Sequence, residues 1–135
     1  MREIVRIVED NSLCVTENGF EIRLRLKWYR SLPLSCIEKL HLSLDGKPVE
    51  PSVLRFGING HQYRLEELKD LIEEFWFIQD SAILSANLPG IVRPGKTYGI
   101  EVELAMRYPY IPIGPGKFLT HVNKYTGSMA AVLER

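Results

Sequence analysis

The sequence predicts an all-β chain, mainly an antiparallel β-sandwich with one short helix. Three observations carry that expectation. Residues 20–28 and 97–107 alternate apolar with charged side chains over long runs, the period of a half-buried strand. Asp45-Gly46 and Asn59-Gly60 follow apolar runs and supply the positive φ that tight hairpins demand. Turn signals recur about every eight to twelve residues, the spacing of sandwich strands.

In chain order, residues 4–8 read as a short strand, and Asn18-Gly19 as a turn ahead of the first long one. There Phe20, Ile22, Leu24, Leu26 and Trp28 share a face, against Glu21, Arg23, Arg25 and Lys27. Over residues 38–44, Leu40, Leu42 and Leu44 point inward and Lys39, His41 and Ser43 outward. Short strands are expected at 53–58, 76–79 and 83–88. The segment 65–74, LEELKDLIEE, places Leu65, Leu68, Leu71 and Ile72 at helical spacing. It reads as a short amphipathic helix that bridges the sheets or covers one end, with its glutamates solvated. Pro89-Gly90 and Pro94-Gly95 bracket the loop into the last long strand, where Tyr98, Ile100, Val102, Leu104 and Met106 oppose Glu101, Glu103 and Arg107. No repeat or linker interrupts the chain, so residues 1–135 are read as one domain.

Composition narrows the partners. The 17 basic residues balance 17 acidic ones, so nothing points to nucleic acid or an anionic membrane. Apolar runs fall well short of the roughly 20 residues that span a bilayer, and MREIVRIVED lacks the features of a signal peptide. Cys14 and Cys36 are too few for a disulfide scaffold and are expected as reduced thiols in a cytoplasmic protein. A net charge near zero favours a protein that lives inside an assembly.

No catalytic set emerges. His41, His61 and His121 lack ligand spacing, so no metal or other cofactor is expected in this chain. Cys36 has no histidine base near it in sequence and reads as a buried structural thiol. The stretch IGPGK (113–117) lacks the spacing and the Ser/Thr of a phosphate loop and is expected as an irregular surface loop. Glu101 and Glu103 share a strand face, a geometry met more often in solvated sheets than in catalytic pairs.

What stands out is apolar and aromatic residues where loops are expected: WYRSLPLS (28–35), EEFWFIQD (73–80) and RYPYIPIGPGKF (107–118). Prolines bar the third from a central strand and stiffen it, which suits recognition at low entropic cost. The residues around Phe75–Phe77 are read as plugging a sandwich end. The first and third segments are expected to join as one surface that meets another subunit. Its candidate residues are Trp28, Tyr29, Arg30, Leu32, Pro33 and Leu34 with Arg107, Tyr108, Pro109, Tyr110 and Ile111, and Arg30 is the expected anchor.

The stretches WYRSLPLSCIEKLHLSLDGKPVEP, FGINGHQYRLEELKDL and EEFWFIQDSAIL, a PG ahead of the last long strand, and MRYPYI resemble the small (β) subunit of bacterial C-glycoside deglycosidases. The likeness runs in order from about Phe20 to Ile111. It implies a β-sandwich paired with a TIM-barrel α subunit in a hetero-oligomer. That large subunit would hold Mn2+ or another divalent metal, together with the bases that cleave the carbon–carbon bond of a 3-oxo-C-glycoside, a flavonoid C-glycoside among the class. No catalytic or metal-binding residue carries over to this chain. Residues 125–135 match nothing in that pattern and are read as a strand returning to a sheet edge. The competing readings are a stand-alone sugar-binding module, with Trp and Tyr stacking on pyranose rings, and a self-associating structural domain.

Overall fold

A computed structural model of the chain describes residues 7–26 and 31–133. The expectations placed on Trp28, Tyr29 and Arg30, and on residues 4–6 of the first strand, lie outside the described residues. Strands β1 (Cys14–Thr16) and β2 (Gly19–Arg25) make the first hairpin. Then β3 (Leu32–Pro33) and a 3-10 turn over Leu34–Cys36 lead into β4 (Ile37–Leu44) and β5 (Lys47–Pro48). A turn over Pro51–Val53 precedes the hairpin of β6 (Leu54–Ile58) and β7 (His61–Arg64). A third 3-10 turn, Leu65–Asp70, leads to β8 (Phe75–Trp76) and β9 (Ser81–Ala86). Last come β10 (Thr97–Gly114), β11 (Lys117–Ala130) and β12 (Val132–Leu133).

These strands build a six-stranded sheet, β12-β1-β2-β9-β6-β7, a four-stranded sheet, β11-β10-β4-β5, and the small ribbon β3-β8. Pairing is antiparallel throughout except between β12 and β1. The apolar faces of both large sheets enter one core, and the period-two runs supply it. Phe20, Ile22 and Leu24 of β2 are fully buried, as are Ile100 and Leu104 of β10. Each such side chain contributes about 1.5–3 kcal/mol by leaving water. Residues 7–9 run along β2: Val8 bridges Leu24, and the Glu9 N–H donates to the Arg23 carbonyl at 3.0 Å. That is the described part of the strand expected at 4–8.

The two hairpin dipeptides fold as expected. Asp45 and Gly46 take φ of 50° and 79°, and Asn59 and Gly60 take 52° and 80°, the left-handed pair of a twist-matched turn. The first hairpin is shifted: Glu17 and Asn18 form the loop, and Gly19 opens β2 opposite Thr16. Glycine is needed there because a Cβ would meet the Ala86 carbonyl oxygen at 2.0 Å.

Four expectations are corrected. The helical segment expected at 65–74 is shorter and tighter: Leu65–Asp70 form a 3-10 helix that buries Leu68, and Ile72 beyond it is exposed. The N–H groups that an α-helix would send four residues back turn tighter, Leu71 N–H to the Leu68 carbonyl and Ile72 N–H to the Asp70 carbonyl, both at 3.1 Å. The Leu71 and Glu74 carbonyls beyond accept from the Ser35 and Leu34 N–H groups at 3.1 and 2.8 Å. Residues 107–118 are not a loop. Strand β10 continues through them to Gly114, so IGPGK turns a hairpin into β11. Prolines are tolerated because β4 leaves after Met106, which frees that edge, and because bulges fall on either side of Pro112. Ser43, expected outward in solvent, is buried between Glu101 of β10 and Pro48 of β5. Short strands also shift: β9 ends at Ala86, β6 starts at Leu54, and β8 stops at Trp76 because the Asp80 N–H closes a turn on the Phe77 carbonyl.

Candidate functional site

At one end of the sandwich, β3 pairs with β8, setting Leu32 opposite Trp76 and Pro33 opposite Phe75. Trp76 is the fixed point. It is fully buried, meets Phe56 edge-on with ring centroids 5.4 Å apart, and its Nε1–H donates to the Asp80 carbonyl at 3.1 Å. The Asn59 side-chain amide, carried by the β6–β7 turn, donates to the Phe75 carbonyl at 2.8 Å and to the Glu74 carboxylate at 3.3 Å. The Ile78 N–H donates to Ser31 Oγ at 3.1 Å. With Trp76 turned inward, strand parity turns its neighbours outward. Phe75 and Phe77 are 37% and 42% exposed and stack with centroids 6.2 Å apart.

The corner expected to face a partner behaves differently. Leu32 and Leu34 are 1% and 0% exposed and belong to this chain's own core, which leaves Pro33 as its half-buried surface residue. The ribbon of β10 and β11 beyond Met106 is mixed. Tyr108 is buried, Pro109 is exposed, and Arg107, Tyr110 and Ile111 are half-buried. Tyr108 and Tyr110 have ring centroids 6.5 Å apart. Burial, and then the nearby Tyr110, push the Tyr108 phenol above its ordinary value.

The two sequence segments do meet. Arg107 Nη2 donates to the Ser35 carbonyl at 3.3 Å, and its Nη1 lies 3.6 Å from the Glu38 carboxylate. The same guanidinium acts on Cys36: burial pushes the thiol up, and Arg107 partly offsets it. Cys14 and Cys36 are both thiols, as the sequence predicts. The exposed pair Phe75 and Phe77 escapes sequence reasoning as a surface. The signal is present as parity around Trp76 and as acids on both sides, but a two-residue strand gives no alternation long enough to fix which way it faces.

Elsewhere the polar groups make sheet-surface contacts. Lys39 Nζ lies 2.9 Å from the Glu103 carboxylate, and that hydrogen bond holds the acid below its ordinary value. Glu101 lies opposite Ser43 and Thr126. His41 and His121 sit on β4 and β11, and His61 starts β7 with its ring 6.1 Å from Tyr63. Among the described residues no group of three or more His, Cys, Asp or Glu is placed to hold a metal ion, and no helix is long and apolar enough to cross a membrane.

Comparison with known proteins gives a consistent result. The profile of the C-glycoside deglycosidase beta subunit family matches residues 5–110. A 3'-dehydrocarminate deglycosidase beta subunit of Microbacterium sp is 38% identical over 108 residues, 80% of each chain. A C-glycoside deglycosidase beta subunit of Microbacterium trichothecenolyticum is 36% identical over 127 residues, 94% of this chain and 95% of its own. One from Arthrobacter globiformis is 36% identical over 106 residues, 78% of this chain and 80% of its own.

Proposed function

Because the chain belongs to the C-glycoside deglycosidase beta subunit family, we propose that it is the accessory β subunit of a heteromeric C-glycoside deglycosidase. In this reading a TIM-barrel α subunit binds the 3-oxo-C-glycoside and supplies the bases that break its carbon–carbon bond, in the manner of a lyase. The complex is cytoplasmic, where both thiols stay reduced. The observation that carries the reading is the 36% identity to a named beta subunit over 94% of this chain. Manganese or another divalent metal is assigned to the α subunit. The described residues of this chain present no group of three or more His, Cys, Asp or Glu placed to hold one.

The chain's own part is to dock. Its contact surface is proposed to include Pro33 and the ribbon residues Arg107, Pro109, Tyr110 and Ile111, joined by the hydrogen bond from Arg107 to Ser35. A ribbon stiffened by prolines loses little entropy on binding. The test is co-expression with the α subunit, followed by size exclusion and an assay of a 3-oxo-C-glycoside for release of its aglycone. A stable complex that releases aglycone, with metal analysis following the α subunit, is the expected result. Chains that never co-elute, or an α subunit fully active and stable alone, would overturn the proposal.

A further inference from the structure

The segment from Leu65 to Asp80 does more than close the sandwich end. Ile72, Phe75, Phe77 and Ile78 are 69%, 37%, 42% and 42% exposed within seven residues of chain. Large apolar groups clustered at the surface mark interaction sites, whereas scattered ones do not. These are also held rigidly. The buried Trp76, its indole bond to Asp80, the Asn59 bond to Phe75 and the Ser31 bond to Ile78 fix the backbone on which they stand. A surface that stays ordered without its partner loses less entropy on binding. The charge beside it is mainly acidic: Asp70, Glu73, Glu74 and Asp80 flank the aromatics in sequence, against Lys69 and the Arg25 guanidinium, which donates to the Gln79 carbonyl at 3.1 Å.

We propose that Phe75 and Phe77 are the docking anchor of this subunit, received by an apolar socket with a basic rim on the α subunit. The inference rests on the subunit reading above and adds where the contact centres and what chemistry it meets. Phe75 faces Pro33 across β3–β8, so the anchor is continuous with the corner and, through Ser35, with Arg107. A stable interface buries roughly 800 Å² per partner, so the anchor would be the centre of a contact that also takes in the corner and the ribbon. A second copy of this chain does not fit, because a two-fold contact would set the acidic rim against itself. An anionic lipid surface is repelled for the same reason.

The experiment measures the Kd of the purified chain for the α subunit by calorimetry, and the association rate by stopped flow, in 0.1 M and 0.5 M NaCl. It compares wild type with Phe75→Ser/Phe77→Ser and with Asp70→Lys/Glu73→Lys. Each variant's circular dichroism and melting temperature serve as the control for folding. The double serine variant is expected to stay folded and bind at least about 30-fold more weakly, the size of a hot spot. The charge-reversed variant is expected to associate about tenfold more slowly at low salt, with the difference shrinking at high salt. Wild-type affinity in both folded variants would overturn the anchor while leaving the subunit reading intact. Wild type failing to bind the α subunit would overturn that reading and the anchor with it. A dimer of the chain alone, abolished by the serine pair while α-subunit affinity is unchanged, would reassign the patch to self-association.

Discussion

Residues 32–36 and residues 75–78 are neighbours, paired across β3 and β8, and they treat their apolar side chains in opposite ways. In the corner, Leu32, Leu34 and Cys36 are buried at 1% or less. In the aromatic segment, Trp76 alone is buried, and Phe75, Phe77 and Ile78 stand in solvent. Composition would assign these roles the other way round: the aromatic segment has the make-up of a core, and the corner has the proline and serines of a surface. The difference is one of parity and backbone bonding. Leu34 and Ser35 donate their N–H groups to the carbonyls of Glu74 and Leu71, which draws the corner under the sheets. The inward indole then leaves its neighbours only the outward side. Apolar content tells how much surface must be covered; it does not tell whether this chain or another covers it.

The sharpest way to break this contrast is stability. Trp76→Ala is expected to cost about 3–5 kcal/mol and Leu34→Ala about 2–5 kcal/mol, as for other large core residues. Phe77→Ala, at the very next residue after the tryptophan, should stay within about 1 kcal/mol. Urea unfolding of the three variants checks it, and a Phe77→Ala loss as large as that of Trp76→Ala would make the aromatic segment core after all.

The ribbon can be sorted by the same logic. Tyr110→Ala is expected to weaken assembly with the α subunit by about 2 kcal/mol while the isolated chain melts near wild type. A lowered melting temperature with unchanged affinity would mean that Tyr110 merely seals the sandwich beside Tyr108.

Thiol chemistry gives a smaller but cleaner contrast. Burial raises the Cys36 thiol pKa and shields its sulfur, whereas Cys14 is half-buried. With a thiol reagent near pH 8, Cys14 should react fast in the native chain and Cys36 only on unfolding. Fast modification of both would show the corner to be open. Replacing Arg107 with Leu should raise the Cys36 pKa further, because it removes the cation that offsets burial.

The smallest effect concerns the turn that leads into the exposed segment. The Arg64 N–H donates to the Glu67 carboxylate at 2.8 Å, and that bond holds the acid below its ordinary value. A lowered folded pKa contributes stability that is present above the unfolded carboxylate range and is lost as pH falls through the folded value. Glu67→Gln should therefore melt slightly below wild type at neutral pH and lose less on acidification. Melting curves from neutral pH down through the carboxylate range test the sign; a variant that loses as much as wild type would place the dependence elsewhere.

Much of the fold was legible because strands written at period two over seven or more residues state which face they bury. The runs containing Phe20, Ile22 and Leu24, and Tyr98 through Met106, are of that kind, and among the described residues their inward side chains are buried. Asp45-Gly46 and Asn59-Gly60 were legible because few residues accept a left-handed φ. The candidate surface was legible only in part. Arg107 does reach the corner, yet Leu32, Leu34 and Tyr108 are inside, and the phenylalanines expected to plug the sandwich end stand exposed.

By itself, then, the sequence determined an all-β chain, its long strands, its two-residue turns, its two thiols and, through its motifs, its family. Only the tertiary structure decided that the helical segment stops at Asp70 as a 3-10 turn and the carbonyls after it bond the corner, that a proline-rich segment runs on as a strand beyond β4, and that Trp76 turns in while Phe75 and Phe77 turn out. Local periodicity fixes a face when the run is long enough to average over. In elements of two or three residues, the partner strand and its hydrogen bonds choose the face, and those partners are distant in sequence.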